Sequence, residues 1–186
     1  MAVYLKSVLS KKIRLLITET GENVKENLEY MITSSIEGKC IAEGFIKPGS
    51  VKIISYSSGN VNAEYVEFQT IFECLICYPV EGMILECVSK TITKAGIHSE
   101  VIDFDGTVPI TVFVARDHHN TNKQFNNIKE NAKIQVKVIG VRYELNDPYI
   151  CAIGKLVDDI TISHKKPKIK IGGNTDDDDD DDDDDE

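Results

Sequence analysis

Hydrophobic spacing takes on a helical period once in this chain, and that single change limits the folds open to it. After Gly21 the apolar residues Val24, Leu28, Met31, Ile32 and Ile36 recur at helical intervals, while Lys25, Glu26, Glu29 and Ser34 lie on other sides, the pattern of one amphipathic helix. Asn23, with Glu26 three residues on, reads as its start and Gly38 as its stop. The rest of the periodic sequence reads as extended chain. Val3 to Thr18 predicts two short strands or one bent strand around the polar Ser10-Lys11-Lys12, and Lys47-Pro48-Gly49-Ser50 and Ser57-Ser58-Gly59-Asn60 are turns between later β-rich runs. From Val66 to Tyr78 the residues Val66, Phe68, Thr70, Phe72, Cys74, Ile76 and Tyr78 alternate with Glu67, Gln69 and Glu73, which lays one apolar face against the helix. Residues 1–78 are therefore expected to form an α+β domain, one helix on an antiparallel sheet.

Beyond Pro79 no long helical pattern returns. Five β runs follow: Gly82 to Lys90, Ala95 to Ile102, Thr107 to Ala115, Lys133 to Tyr143 and Tyr149 to Val157. Turns at Thr93-Lys94, Asp103-Phe104-Asp105-Gly106 and Asn146-Asp147-Pro148, and an insertion around Asn120 to Asn131, separate them. Five antiparallel strands in about 80 residues point to a small closed barrel of the OB type over 79–162. Residues 163–186 read as a tail: Lys165, Lys166, Lys168 and Lys170, then Gly172-Gly173-Asn174, then Asp176 to Asp185 and Glu186. An all-acidic run cannot bury apolar surface, so disorder is expected there.

That run also distorts the charge. The chain carries 21 basic and 31 acidic side chains, a net charge of −10. Removing the eleven acidic residues of 176–186 leaves 21 against 20, a body at +1. Any nucleic-acid contact must then come from a local patch. No segment has the roughly 20 unbroken apolar residues of a membrane span, and Met1 to Lys6 lacks the pattern of a secretory signal. With five cysteines, an odd number set in hydrophobic runs, an intracellular, reducing location is expected.

Cys74-Leu75-Ile76-Cys77 has the spacing of half a zinc site, but three residues along a strand the two sulfurs point to opposite faces. Core cysteines are the expectation. Asp117-His118-His119 reads as a solvated loop. No nucleophile elbow and no phosphate-binding glycine loop appears, so no catalytic residue, metal or cofactor is expected. In the barrel, Ile134, Val136 and Val138 alternate with outward Gln135 and Lys137, and Val108, Ile110, Val112 and Val114 with Thr107, Thr111 and Phe113. An outward aromatic beside cations suits single-stranded nucleic acid. The candidates are Lys90, Lys94, His98, Phe113, Arg116, Lys137 and Arg142; the competing reading is a solubilising face with Phe113 partly covered. With 18 lysines to 3 arginines, such binding should be weak and indifferent to sequence. The acidic run reads as a solvated appendage or as a nucleic-acid mimic occupying a basic surface of this chain or of a partner.

The order of these parts, with Ile36-Glu37-Gly38-Lys39-Cys40 closing the helix, Tyr78-Pro79-Val80-Glu81-Gly82-Met83-Ile84 at the junction and Thr93-Lys94-Ala95-Gly96-Ile97 in the first barrel hairpin, resembles the stalk subunit of multisubunit DNA-directed RNA polymerases. That family comprises the seventh subunit of eukaryotic RNA polymerase II and its archaeal counterpart. The resemblance implies a non-catalytic subunit that docks on the polymerase core near the RNA exit channel, beside a fourth-subunit-like partner, and meets nascent single-stranded RNA. It implies a core-docking tip at Phe45, Lys47, Pro48 and Gly49. The 24 isoleucines and the excess of lysine over arginine fit a copy carried by a large DNA virus, which would act in the virion or a cytoplasmic viral factory; a cellular copy would act in the nucleus. Two other readings stay open: a free-standing OB-fold RNA-binding factor of translation or RNA decay, and an acidic-tailed interaction protein.

Overall fold

The structure of the protein, a computed structural model, describes residues 3–119 and 123–157. The first apolar run becomes a single strand, β1 (Tyr4–Leu16), paired along its whole length with β6 (Tyr65–Cys77). The far edge of β6 is shared by short strands in succession. β3 (Gly44–Ile46) pairs near Cys77, β4 (Lys52–Tyr56) near Phe72 and β5 (Asn60–Asn62) near Val66, while β2 (Cys40–Ile41) pairs with β3. Two predicted turns separate these pieces. Gly49, at φ +70°, takes the left-handed conformation that the Pro48-Gly49 turn requires.

Helix α1 (Val24–Ile36) buries Leu28, Ile32 and Ile36 on this sheet with Ile13, Leu15, Val66, Phe68 and Phe72. Met31, placed on the same face from its spacing, is 41% exposed at the flank. Asn23 is the N-cap residue, yet its side chain makes no capping hydrogen bond. The helix end is held from outside instead: Gly49 N–H and Val51 N–H donate to the Glu37 carboxylate at 2.8 and 2.9 Å. Each fully buried Leu or Ile here contributes about 1.5–3 kcal/mol of burial.

The second half forms a closed barrel from β7 (Ile84–Ile92), β8 (Gly96–Val101), β9 (Ile110–Ala115), β10 (Lys133–Arg142) and β11 (Ile150–Leu156), in ring order β10-β11-β9-β8-β7. The sequence suggested five antiparallel strands; four contacts are antiparallel, and β11 runs parallel to β9. An odd ring cannot alternate direction at every contact, so one pair must be parallel. The insertion before β10 carries a 3-10 turn (Arg116–His119) and a short helix, α2 (Lys123–Asn127). The tail expected to be disordered lies outside the described residues. No helix among the described residues is long and apolar enough to cross a membrane.

Among the described residues there are two apolar clusters, and one of them is not made by the barrel alone. Cys40, Phe45 and Cys77, from the N-terminal sheet, join Leu85, Val101, Ile110 and Val136 inside it. Polar bonds reinforce that joint. Cys40 N–H donates to Asp147 O and Asn146 N–H to Cys40 O, both at 2.8 Å, and the Tyr143 hydroxyl donates to Ala42 O at 3.1 Å.

Candidate nucleic-acid interface

Alternation in β8, β9 and β11 turns one residue outward on each strand in the same row. His98 stands opposite Phe113, and Phe113 opposite Ile153. The His98 and Phe113 rings are 4.7 Å apart at 48°. Phe113 is half-buried because its ring lies down over Gly96, where a Cβ would come within 2.7 Å of Phe113 Cζ and closer still to Val114 O. The ring is covered from below by its own sheet rather than by a loop. Its upper side forms one outward step with the exposed His98 and the 49%-exposed Ile153.

Cations edge this step unevenly. Lys94 is exposed beside it, and Arg116 is anchored there: its Nε donates to Lys94 O at 2.8 Å, its Nη1 to Asn126 Oδ1 at 3.1 Å, and its guanidinium lies 5.0 Å from the Phe125 ring centre. Those bonds use donors that a phosphate would otherwise receive. Lys137 stands directly opposite Lys155 across β10 and β11, and among the described residues neither has an ion-pair partner. Like charges so placed repel each other, and an anion between them would relieve it. Lys90 pairs with Glu100 at 3.7 Å and Arg142 with Glu144 at 3.2 Å, so both are partly neutralised. The structure thus gathers His98, Phe113, Lys94 and Arg116 on one stretch of face, with Lys137 two strands farther on and Lys90 and Arg142 at its margins. Lys155 and Ile153 were not picked from the sequence, although the alternation of β11 carries both.

The turn after β3 has a different setting. Phe45 is 2% exposed inside the joint. The Lys47 ammonium binds the Asp103 carboxylate, lies 3.2 Å from Asp105 Oδ2, and sits 5.1 Å from the centre of the Tyr4 ring. The Asp103 carboxylate bonded to it holds the Lys47 amine above its ordinary range. Pro48 and Gly49 are exposed. The expected solvated loop is half right: Asp117 and His118 are exposed, but His119 is buried. Its Nδ1 bonds Ala115 O at 2.7 Å and its Nε2 accepts the Leu156 N–H at 2.9 Å, so it ties β9 to β11 as the Nδ1–H tautomer, its ring stacked on Phe125. Cys74 and Cys77 fall in different apolar clusters, and burial pushes their thiols up to about 11 and about 12.

The structure therefore defines a two-part protein, a helix-backed antiparallel sheet joined to a closed five-stranded barrel, whose outer face carries His98, Phe113 and lysines without an ion-pair partner among the described residues. No family model matches the chain. It is similar to a protein of Acanthamoeba polyphaga mimivirus assigned provisionally as a DNA-directed RNA polymerase subunit, with 24% identity over 170 residues, 86% of this chain and 85% of that protein. It is equally similar to DNA-directed RNA polymerase II subunit 7 of Arabidopsis thaliana and to subunit RPB7 of the same enzyme from Glycine max, each 23% identical over 168 residues, 82% of this chain and 91% of the relative. The resemblance to polymerase subunits read from the sequence is therefore matched by homologues over most of the chain.

Proposed function

We propose that this protein is a non-catalytic, stalk-type subunit of a DNA-directed RNA polymerase. It docks on the core near the RNA exit channel, beside a fourth-subunit-like partner, and its barrel meets nascent RNA. One observation carries the reading: the similarity to polymerase subunits runs through both folded parts and 85–91% of each relative, so it is not the generic likeness of one OB barrel to another. That extent also favours the polymerase over a free-standing RNA-binding factor or an acidic-tailed interaction protein. The barrel face supports the RNA contact: His98 and Phe113 form the stacking step, Lys94, Arg116, Lys137 and Lys155 supply charge, and Lys90 and Arg142 stand at its edge. Of the proposed docking turn, Pro48 and Gly49 present the contact surface, while Phe45 and Lys47 hold that turn against the barrel. The plant and viral relatives are consistent with an intracellular setting, the nucleus for a cellular enzyme and the virion or viral factory for a viral one.

Affinity purification of the full chain from cells of its source tests this. Two polymerase-sized chains in the eluate, lost on replacing Pro48 and Gly49 by Asp, are the expected result. Recovery without any large chain would overturn the reading, and recovery of the large chains undiminished in the variant would remove the turn from the docking surface.

A further inference from the structure

The lysine-bearing face of the barrel and the acidic run at 176–186 are matched in charge, and chain length brings them together. Among the described residues Lys94, Lys137 and Lys155 have no ion-pair partner, and Lys137 and Lys155 stand opposite each other as like charges. Both lie where β11 ends: Lys155 is two residues before Val157, the last residue described, and Val157 N–H donates to Gln135 O at 3.0 Å, one strand position from Val136 and two from Lys137. The chain therefore leaves the barrel beside its unpaired cations. Residues 158–175, which begin with Asp158 and Asp159, separate that exit from the acidic run at Asp176, and a flexible linker of about 18 residues would span about 23 Å root-mean-square. Four strands at roughly 4.8 Å spacing are narrower than that.

We infer that the acidic run 176–186 binds the Lys94, Lys137 and Lys155 face of its own chain and occupies it in place of RNA phosphates. The eleven carboxylates supply repeated negative charge without bases, so they satisfy the lysines and leave the His98–Phe113 step unstacked. A tethered segment at this range acts at an effective concentration of roughly millimolar. Against a weak polyelectrolyte contact of about 0.1 mM, it lowers apparent RNA affinity about tenfold at low salt. Screening removes that effect at high salt, since the attraction between exposed charges fades over a Debye length of about 10 Å at 0.1 M and about 3 Å at 1 M. RNA that stacks on Phe113 displaces the tail, so the face discriminates in favour of strands with accessible bases. The competition with RNA rests on the proposed RNA contact; the contact of tail with face does not.

Two readouts on the full chain separate them. Zero-length carbodiimide coupling followed by peptide mapping should join carboxylates of 176–186 to Lys94, Lys137 or Lys155, with the products lost at about 1 M salt. Coupling confined to Lys165, Lys166, Lys168 and Lys170, or only between molecules, would overturn the inference. In parallel, binding of a 12-nucleotide oligouridylate is compared for the full chain and for a chain lacking 176–186. Truncation should tighten binding about tenfold at 50 mM salt and little at 500 mM, and the change should vanish in a Lys137→Gln/Lys155→Gln background. Equal affinity of the two forms at 50 mM would overturn the competition even if coupling succeeds. Should neither form bind the oligonucleotide, the RNA contact itself fails, and the coupling pattern alone then decides whether the tail lies on the face.

Discussion

Phe45 and Phe113 are both aromatic, one expected to meet a partner from the family resemblance and the other from strand alternation, and they have opposite fates. Phe113 belongs to a regular strand, and alternation alone turns it outward, where it lies over Gly96 beside His98. Phe45 stands in the three-residue strand β3 at the end of the N-terminal sheet, and the barrel closes over it with Cys40 and Cys77. The contrast teaches that strand period sets the side of a sheet, while occupancy of that side depends on whichever distant segment packs there. A residue beside a turn is no more certain to be free than one in a strand.

The sharpest way to break the contrast is to truncate each ring. Phe45→Ala should lower the unfolding free energy by about 3–5 kcal/mol, the range for a large side chain removed from a closed core. Phe113→Ala should lower it by less, because that ring is only partly buried and lies on the outside of the barrel, while weakening single-stranded RNA binding by about 1–3 kcal/mol on the proposed function. Urea unfolding and oligonucleotide titration read both quantities. If Phe45→Ala prevents folding, Phe45→Leu gives a milder version of the same test. Equal stability losses for the two truncations would mean that Phe45 does not sit in a packed joint.

How much was legible follows from the range of each interaction. The helix face Leu28, Ile32 and Ile36, the inward sets Ile110, Val112, Val114 and Ile134, Val136, Val138, and the five barrel strands to within three residues were readable because period is local, though Val108, expected to continue the inward set, precedes β9. The parallel β9–β11 pair was not read, although it follows from counting strands in a ring. Lys155 was missed although β11 alternates through it, because Gly154 has no apolar side chain to mark its inward position; a side chain there would strike Val136. The engagement of Lys47 by Asp103, across 56 positions of sequence, has no local signal at all. The helix start at Asn23 was also legible, though its side chain makes no capping bond, whereas the hold of Glu37 on Gly49 and Val51 at the other end is a tertiary contact without a local signal.

A second break in the comparison lies at His119, a loop residue drawn inward like Phe45 but held by polar bonds. His119→Ala leaves the Leu156 N–H and one lone pair of Ala115 O without their partner, and a buried unsatisfied group costs about 1–3 kcal/mol. With loss of the Phe125 stack, a drop of about 2–3 kcal/mol is expected. Amide hydrogen exchange at Leu156 should rise more than at Ile97, two strands away in the ring. His118→Ala, its exposed neighbour, should change neither. Matching effects from the two histidines would return the whole loop to solvent.

The smallest effect belongs to Lys47, whose contribution is electrostatic and sensitive to conditions. Its ammonium joins the turn after β3 to Asp103 and Asp105 of the β8–β9 loop. The bonded Asp103 raises the amine above its ordinary 10.5, so its share of stability is complete below that value and is lost as pH rises through the higher folded value. Asp105 runs the other way: the Thr107 backbone N–H, then Lys47, hold its carboxyl below the ordinary 3.8. Its share is present above 3.8 and is lost as pH falls through the lower folded value. Lys47→Met keeps the stem packed on Tyr4 and removes only the charge. The gap in unfolding midpoint between the native chain and Lys47→Met should therefore be flat between about pH 5 and pH 9, close at both extremes, and shrink in about 1 M salt as screening shortens the Debye length to about 3 Å. A gap that ignored both pH and salt would assign Lys47 to packing, and the joint would then differ from the outer face of the barrel in apolar contact alone.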